Sequence, residues 1–497
     1  MQKIIYIKGR LLKTAAILMA AILMFTSLVG CGDDIISSDK VDTEIFQALY
    51  AANQAMVSSA DSSVNIAYYL ESWARGNDKF KVSHDKYDNI IVSTTATPGY
   101  EDADSTILHC TLESDAPERT SLAITAIMYL MEYSTNHGFI RAIFAEPSCG
   151  IETVKENYLR ADNFISFDWS KNNNIMIGSA GKNCFHVQKE ITYEAPSFPD
   201  AYRITIMGLE PTMAAKTNQI NAVKTIGKLL AELKSSGTLI EIAEFNSGYM
   251  NNEGLFVADE FASDDYPLGA SALVLVNDND VSKLTKKIEK SRDKMLEKYE
   301  ETDPNMFYEI TPLEETSGIT QVLSPDDTST LLSFIYTCPC GTYEKDDEGE
   351  VTSLTNILSC NTQGGKMCFN LCAIAQEESK LSSLNNLFLT LSGLYELECT
   401  MEEDSPVWPM LLDPETIDEN DLTAYEALTP LMRKLAEIST EVYEKDTSYG
   451  FGFDNTSTAK LLKRLPDANI ATYGLTEKNI ERQLETVLTF LERINTK

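Results

Sequence analysis

Apolar residues recur along the chain with a helical period in some stretches and an extended period in others. Helical spacing covers residues 44–59, 64–75 and 122–131. Short runs rich in branched apolar residues alternate with these helices, at 89–93, 106–110, 139–144 and 163–168. This alternation predicts an α/β domain in which helices pack on a central sheet.

A second α/β unit is predicted to begin near residue 183. Its strands are expected at 202–207, 238–244, 254–260 and 272–276. Its helices are expected at 220–233, 280–300, 328–336 and 378–394, the second of them rich in charged residues. Two further helices, at 426–445 and 476–494, follow an acidic stretch. A length of 497 residues suits two compact domains.

The N-terminus carries the pattern of an export signal. Basic residues at 3, 8, 10 and 13 precede an apolar run from Ala15 to Phe25, and Leu28-Val-Gly-Cys31 follows. A short apolar run that ends in small residues is typical of a secretory signal. Leu-x-Gly-Cys at this place resembles the lipobox of bacterial lipoproteins. The resemblance implies cleavage before Cys31, lipidation of its thiol, and an exported, lipid-anchored protein of the bacterial cell envelope.

The charge balance is strongly acidic. Asp and Glu number 75 against 41 Lys and Arg, a net charge of −34. Removal of the four basic residues of the signal lowers the net charge from −34 to −38. A surface of this sign repels nucleic-acid phosphates, so a nucleic-acid partner is not expected.

Nine of the ten cysteines lie beyond Cys31. An odd number cannot all pair within one chain. Most lie in apolar runs such as Met367-Cys-Phe-Asn-Leu-Cys372, where cysteine acts as a small apolar residue. Cys338-Pro-Cys340 with Cys368 and Cys372 matches the spacing of no zinc ribbon or finger, so a structural metal there is disfavoured.

Several landmarks resemble the aminoacyl-histidine dipeptidase (peptidase D) family of two-zinc metallopeptidases. They are Ala96-Thr-Pro-Gly-Tyr-Glu101, Ile240-Glu-Ile-Ala-Glu-Phe-Asn-Ser-Gly248, Phe256–Ala262 and, more loosely, Ser405-Pro-Val-Trp-Pro409. They follow the family's order and spacing over nearly the whole chain beyond the signal. The resemblance implies an α/β fold: a three-layer zinc-peptidase-like catalytic domain interrupted by an α+β lid domain.

The resemblance also implies domain boundaries. They are a signal at 1–30, a tether at 31–41, a catalytic-like domain at 42–182 and 405–497, and a lid domain at 183–404. Members of the family often pair through the lid, which implies a homodimer by analogy.

The expected metal site is degenerate where its first ligands should stand. A two-metal peptidase needs imidazole and carboxylate ligands and a glutamate base beside the metal-bound water. The family's His-x-Asp falls on Thr111 and Glu113. Its bridging Asp falls on Arg119, or on the adjacent Glu118 if the register shifts by one residue. A unit positive charge about 4 Å from a divalent ion repels it by roughly 8 kcal/mol at an effective dielectric constant of about 20.

The catalytic glutamate pair of the family is replaced as well. Its positions fall on Pro147 and Ser148, which follow Glu146, and neither side chain supplies a carboxylate. Asp168 is the only family metal ligand that matches in kind.

Histidine content gives an independent argument. The histidines are His84, His109, His137 and His186, so the family's later histidines, a last metal ligand and a lid residue, have no counterpart. His109 lies two residues before Thr111 and on the same strand face. With Glu146 and Asn252 it is a candidate to line a ligand cleft, while Phe256 replaces the family's substrate-contacting Arg.

These substitutions predict a catalytically inactive dipeptidase-like lipoprotein that takes no cofactor. It is expected to bind a peptide, an amino-acid-like ligand or a protein partner at the cell envelope. One alternative is an active metallodipeptidase with a single zinc held by His109, Glu113, Glu146 and Asp168. A structural lipoprotein without a ligand is another. A hydrolase based on Cys149 is disfavoured, since no His and acid are identified to partner that thiol.

Overall fold

The protein is described by a computed structural model in which the chain divides into two compact units. The described residues are 40–60, 62–113, 117–147, 150–169, 174–207, 221–250, 256–257, 269–301, 303–313, 318–347, 349–409, 428–445, 447–452 and 457–494. Unit 1 comprises Met1–Ser179 with Met410–Lys497, and unit 2 comprises Ala180–Pro409. Unit 1 is therefore assembled from two separate segments of the chain.

Unit 1 is built on an eight-stranded mixed sheet. Its strands are β1 (Lys81–His84), β2 (Ile90–Thr94), β3 (Thr106–Thr111), β4 (Ile140–Ala145), β5 (Asn163–Trp169), β6 (Asn174–Ser179), β19 (Ser448–Gly452) and β20 (Ile470–Leu475). The spatial order is β1-β2-β4-β3-β5-β20-β6-β19. Strands β4, β3, β5 and β20 run parallel to one another in the middle of the sheet.

Helices pack on the unit 1 sheet. They are α1 (Thr43–Ser58), α2 (Ser63–Arg75), α3 (Pro117–Tyr133), α4 (Gly150–Thr153), α5 (Glu156–Leu159), α10 (Pro430–Tyr443), α11 (Ser457–Arg464) and α12 (Ile480–Arg493). On β3, Ile107 packs in one cluster with Ile151 of α4 and Leu461 of α11. Because side chains alternate along a strand, Leu108 points to the opposite face. The described α3 residues from 120 to 131 are all buried, so this helix fills the core of unit 1.

Unit 2 contains a ten-stranded antiparallel sheet. Its strands are β7 (Gly181–Glu190), β9 (Asp200–Met207), β10 (Ile240–Met250), β11 (Phe256–Val257), β12 (Gly269–Val276), β13 (Phe307–Pro312), β15 (Gly341–Lys345), β16 (Val351–Asn361), β17 (Lys366–Ala375) and β18 (Glu398–Ser405). The order is β13-β9-β12-β10-β16-β17-β7-β18, with β11 beside β10 and β15 beside β16. A separate small pair joins β8 (Tyr193–Glu194) to β14 (Val322–Leu323).

In the described part of unit 2, four helices accompany this second sheet. They are α6 (Ala222–Ser235), α7 (Val281–Tyr299), α8 (Pro325–Thr337) and α9 (Glu378–Leu394). Residues of these helices share one hydrophobic core with Phe185 and Val187 of β7 and Phe369 and Leu371 of β17. Both strands therefore turn their odd-numbered residues toward the helices and their even-numbered residues toward the other face of the sheet.

The predicted fold class, an α/β architecture with a layered catalytic-like part and an α+β lid part, is confirmed. The predicted charged helix at 280–300 and the helix at 378–394 are present as α7 and α9. Within the part of the chain that the structure describes, no helix is both long enough and apolar enough to span a membrane.

Candidate functional site

The sequence-predicted site positions of unit 1 meet at one edge of its sheet. Thr111 ends β3 and pairs with Ala145 at the end of β4, directly before Glu146. The register that pairs His109 with Ser166 places Thr111 level with Asp168, which pairs in turn with Gly474 of β20. The carboxyl ends of neighbouring parallel strands form the usual ligand-binding edge of an α/β sheet. Topology thus brings Thr111, Glu146 and Asp168 to the same edge.

His109 lies inside the core of unit 1, two residues before Thr111 on β3 and therefore on the same face of the strand, further from that edge. Its side chain is 1% exposed, and its Nδ1 is 3.0 Å from the Ser166 Oγ of β5. Burial lowers the pKa of His109 to about 3, because the interior cannot solvate an imidazolium. Its Nε2 has no hydrogen-bond partner among the described residues. The ring is therefore neutral at pH 7 and enclosed by protein.

Thr111 is tied to the start of α11 by a hydrogen bond. Its Oγ1 is 2.9 Å from the Oγ of Ser457, the first residue of that helix. The next residue, Thr458, bonds through its hydroxyl to Thr472 of β20, and both are fully buried. Hydroxyl groups thus occupy the place where the resemblance implies a metal-binding imidazole. A hydroxyl is a much weaker zinc ligand than imidazole, carboxylate or thiolate.

Glu113 precedes α3, and Arg119 lies in the first turn of that helix. The backbone carbonyl of Glu113 accepts a 2.7 Å hydrogen bond from Thr120 Oγ1, which ties Glu113 to the helix. Arg119 lies in that first turn and is partly buried. The start of a helix already carries a positive partial charge, so a guanidinium there makes the site more favourable for an anion and less so for a cation.

Glu146 is held by the start of α2. Its Oε1 accepts a 3.2 Å hydrogen bond from Ser63 Oγ, and its backbone N–H donates to Asn89 Oδ1 at 2.9 Å. Pro147 follows it in a turn. Ser148 and Asn252 lie outside the described residues, as does Cys31.

Two members of this site, Ser166 and Ser457, are absent from the sequence-based set. Ser166 is found only through the parallel register of β3 and β5, which brings together residues 57 positions apart. Ser457 bonds to Thr111 across 346 positions. Ser457 is the first residue of a basic amphipathic stretch, Ser457–Arg464. A serine at the start of such a stretch indicates the start of a helix, and that is the local signal by which Ser457 could have been noticed.

Comparison with known proteins identifies the fold. No protein-family model matches the chain, and no curated protein does. Aminoacylhistidine dipeptidase from Vibrio alginolyticus superposes with a TM-score of 0.57 at 15% sequence identity, covering 90% of this chain and 97% of that one. Human carnosine dipeptidase 1 gives a TM-score of 0.44 at 10% identity, over 97% of this chain and 100% of that one. A tripeptidase from Staphylococcus aureus gives 0.43 at 8% identity, over 92% of this chain and 100% of that one. The first of these likenesses shows that the chain has a peptidase M20-like fold.

The expectation that the chain takes no cofactor is wrong for a protein of this fold. Its structural neighbours include an aminoacylhistidine dipeptidase, and metallopeptidases of this kind normally use zinc. That expectation depends on substitutions at a few positions such as Thr111 and Arg119, and the strands β3, β4 and β5 that end at this edge of the sheet are present despite them. Residues 114–116, 148–149 and 453–456 directly follow or precede Glu113, Pro147 and Ser457 in the sequence and lie outside the described residues.

The described side chains nevertheless do not fit a zinc site. Across the described ranges, no group of three or more His, Cys, Asp or Glu is arranged to hold a metal ion. Of the four residues of the single-zinc alternative, His109 has its Nδ1 bonded to Ser166 and Glu146 has an oxygen bonded to Ser63. What the described arrangement offers instead is the partly buried guanidinium of Arg119, a group that suits hydrogen bonding to an anionic ligand. The imidazole of His109 is enclosed in the core, and the hydroxyls of Thr111 and Ser457 bond to each other.

Proposed function

We propose that this chain is a lipid-anchored protein of the bacterial cell envelope that uses a dipeptidase-like fold to bind a peptide or an amino-acid-like ligand without hydrolysing it. The dipeptidase-like fold supports the relationship to peptidases and hence the ligand class. The absence of hydrolysis and the anchoring are our proposals, argued from the residues of the site and of the N-terminus.

The observation that carries the proposal is that His109 is buried and that His109 and Thr111 are both hydrogen-bonded to serines. Peptide hydrolysis by this fold requires a base beside a polarised water. His109 cannot serve as that base near pH 7, because it is enclosed in the core and hydrogen-bonded to Ser166. Thr111 has no useful basicity, and its hydroxyl is already paired with Ser457.

Ligand recognition is assigned to the first turn of α3. The Arg119 guanidinium and the positive end of the helix together suit a carboxylate, which every peptide and amino acid carries. Hydrogen bonds to charged groups contribute about 1.5–3 kcal/mol each. Losing one such bond weakens binding roughly tenfold to a hundredfold.

The test combines binding and turnover on the full-length chain in detergent, with Zn²⁺ supplied. Using an aminoacyl-histidine dipeptide as probe, we expect saturable binding and no release of histidine above a protein-free reaction. Arg119→Ala is expected to weaken binding at least tenfold. Arg160→Ala is the control, since Arg160 directly follows α5 and its side chain is 75% exposed. Zinc-dependent hydrolysis that Asp168→Ala abolishes would show that the chain is an active metallopeptidase. Absence of binding by any aminoacyl-histidine, free amino acid or dipeptide probe would refute the ligand class.

The anchoring is tested separately. In a bacterial host fed a labelled fatty acid, the chain is expected to take up label and to fractionate with membranes. Cys31→Ser is expected to abolish both, since the thiol is the attachment point that the lipobox resemblance implies. Labelling that persists in Cys31→Ser would contradict the proposal and locate the acyl chain elsewhere.

A further inference from the structure

Two cysteines of unit 2 face each other across adjacent strands. In the antiparallel pairing of β7 with β17, Cys184 lies directly opposite Cys372. Both have even numbers and therefore belong to the face of the sheet that points away from the helical core, the same face as His186 and Asn370. Their side chains therefore project from the same face of the sheet at the same level.

The hydrogen-bond pattern fixes which kind of pair this is. Directly opposite residues of an antiparallel ladder alternate between pairs that exchange hydrogen bonds and closer pairs that do not. The Ile191 N–H donates to the Gly365 carbonyl at 2.9 Å, and the register continues without a shift from there to Gly181 and Ala375. Because 191 and 365 form a hydrogen-bonded pair, every even-numbered position of β7 forms a non-bonded one. Cys184 and Cys372 are thus a non-hydrogen-bonded pair.

That position suits a covalent link. The Cα atoms of a non-hydrogen-bonded pair are about 4.5 Å apart. Disulfides form over Cα separations of about 4.4–6.8 Å, so closure needs rotation of the two side chains and little movement of the backbone. Both cysteines are unlinked in the structure.

We propose that Cys184 and Cys372 are a dithiol site that closes to a cross-strand disulfide by exchange with a disulfide-bearing oxidant. Cys184 is partly exposed and Cys372 is 3% exposed, which sets the order of events. The Cys184 thiolate attacks one sulfur of the oxidant, and the first thiol of the oxidant leaves. The Cys372 thiolate then attacks Cys184 Sγ, and the second thiol of the oxidant leaves. The protein loses two protons and two electrons, and the oxidant is reduced to two thiols.

The neighbouring cysteines are poorer partners for physical reasons. Cys338 and Cys340 lie close enough to Cys372 to interact with it electrostatically. They directly precede β15, which pairs with β16, so β16 lies between them and Cys372 of β17. Strands separated by one intervening strand are about 9–10 Å apart, which is beyond the Cα separations over which disulfides form. Cys368 lies on the same strand and face as Cys372 and is partly exposed, but its opposite residue on β7 is Gln188. Cys368 is therefore the matched control for the pair.

The experiment uses the full-length chain and two probes. Phenylarsine oxide, which bridges two adjacent thiols, is expected to bind the reduced protein. Cys184→Ser and Cys372→Ser are each expected to abolish binding at this site, and Cys368→Ser to leave it unchanged. Oxidised glutathione is expected to yield, in a peptide map without reductant, a fragment that joins Cys184 to Cys372 and is cleaved by dithiothreitol.

Two results would overturn the assignment. One is that both cysteines remain fully alkylatable after treatment with oxidised glutathione and that the reduced protein also binds no phenylarsine oxide. The other is a map in which Cys372 is joined to Cys340. The map of the unsubstituted chain decides the matter even if a serine variant fails to fold. Neither readout depends on peptide binding or on the N-terminal anchor.

Discussion

Single polar residues in the core of this protein are expected to control its response to pH. His109 is the clearest case, since burial lowers its pKa to about 3 from the ordinary 6.5. The unfolded chain binds a proton at this residue below pH 6.5, while the folded chain does not do so until about pH 3. Folding therefore loses stability as the pH falls through that window, and the full contribution is present above pH 6.5.

This linkage gives a measurable prediction for His109→Asn. The advantage of the unsubstituted protein over the variant in free energy of unfolding should shrink by about 2 kcal/mol between pH 7 and pH 5. Urea unfolding at the two pH values measures it. Ser166→Ala is the control, because it removes the hydrogen bond and keeps the titrating ring. An advantage over His109→Asn that is constant with pH would mean that the imidazole is solvated in the folded state.

The candidate site shows where sequence reasoning succeeds at this scale and where it stops. The strand ends that carry Thr111, Glu146 and Asp168 were predictable, because apolar runs reveal the strands that precede them. The partners Ser166 and Ser457 were not, since a serine in a chain carries no sign of the residue that tertiary register sets beside it. The burial of His109 has the same origin, because it depends on residues distant in the chain. One of them is Phe164, whose ring lies 5.8 Å from the imidazole.

Among the elements, the long periodic helices and several short apolar strands were predicted well, whereas other strands were missed. Helix α9 has the predicted bounds, and α7 differs by one residue at each end. Strand β20 was missed, although it lies in the middle of the unit 1 sheet. Its sequence, Ile-Ala-Thr-Tyr-Gly-Leu, is buried at every position, so it shows no alternation of apolar and polar residues. Its apolar run is also broken by Thr472 and Gly474, so neither alternation nor a continuous apolar run marks this segment as a strand.

The packing of α6 against α8 depends on a glycine. A Cβ added at Gly227 would lie 2.4 Å from Cγ2 of Ile335, so the helices approach too closely for a larger residue. Gly227→Ala is expected to lower the free energy of unfolding by about 1–3 kcal/mol despite the better helix propensity of alanine. Thermal unfolding with calorimetry measures the change.

Gly393 supplies the matched control for that substitution. It lies in α9, and an added Cβ there meets nothing within 4 Å. Gly393→Ala is expected to raise the free energy of unfolding by up to about 1 kcal/mol. Equal effects of the two substitutions, in either direction, would show that helix propensity and not the contact with Ile335 decides the outcome at Gly227.

The molecule as a whole carries a net charge of −34, which opposes its own compact state. The described ion pairs at its surface, such as Lys287 with Glu232 at 3.1 Å, involve side chains that are 46% and 38% exposed. Exposed pairs of this kind contribute at most about 1 kcal/mol each. General repulsion among the acidic residues should therefore outweigh them.

The prediction is that added salt stabilises the protein. Raising NaCl from about 10 mM to about 200 mM shortens the screening length from about 30 Å to less than 10 Å, which weakens long-range repulsion most. We expect Tm to rise by a few degrees, measured by circular dichroism at fixed pH. A fall in Tm over the same range would mean that local ion pairs contribute more than the net charge.

The position of β20 also determines when the protein can fold. Unit 2 is one continuous segment, Ala180–Pro409, so all its strands have been synthesised before β20. Strand β20, at Ile470–Leu475, lies between β5 and β6 in the unit 1 sheet. A nascent chain therefore has an open gap in that sheet until β20 has been made and has left the ribosome. Unit 2 can thus complete its sheet before unit 1 does, and a chain that crosses a membrane unfolded would gain time to do so from this late strand.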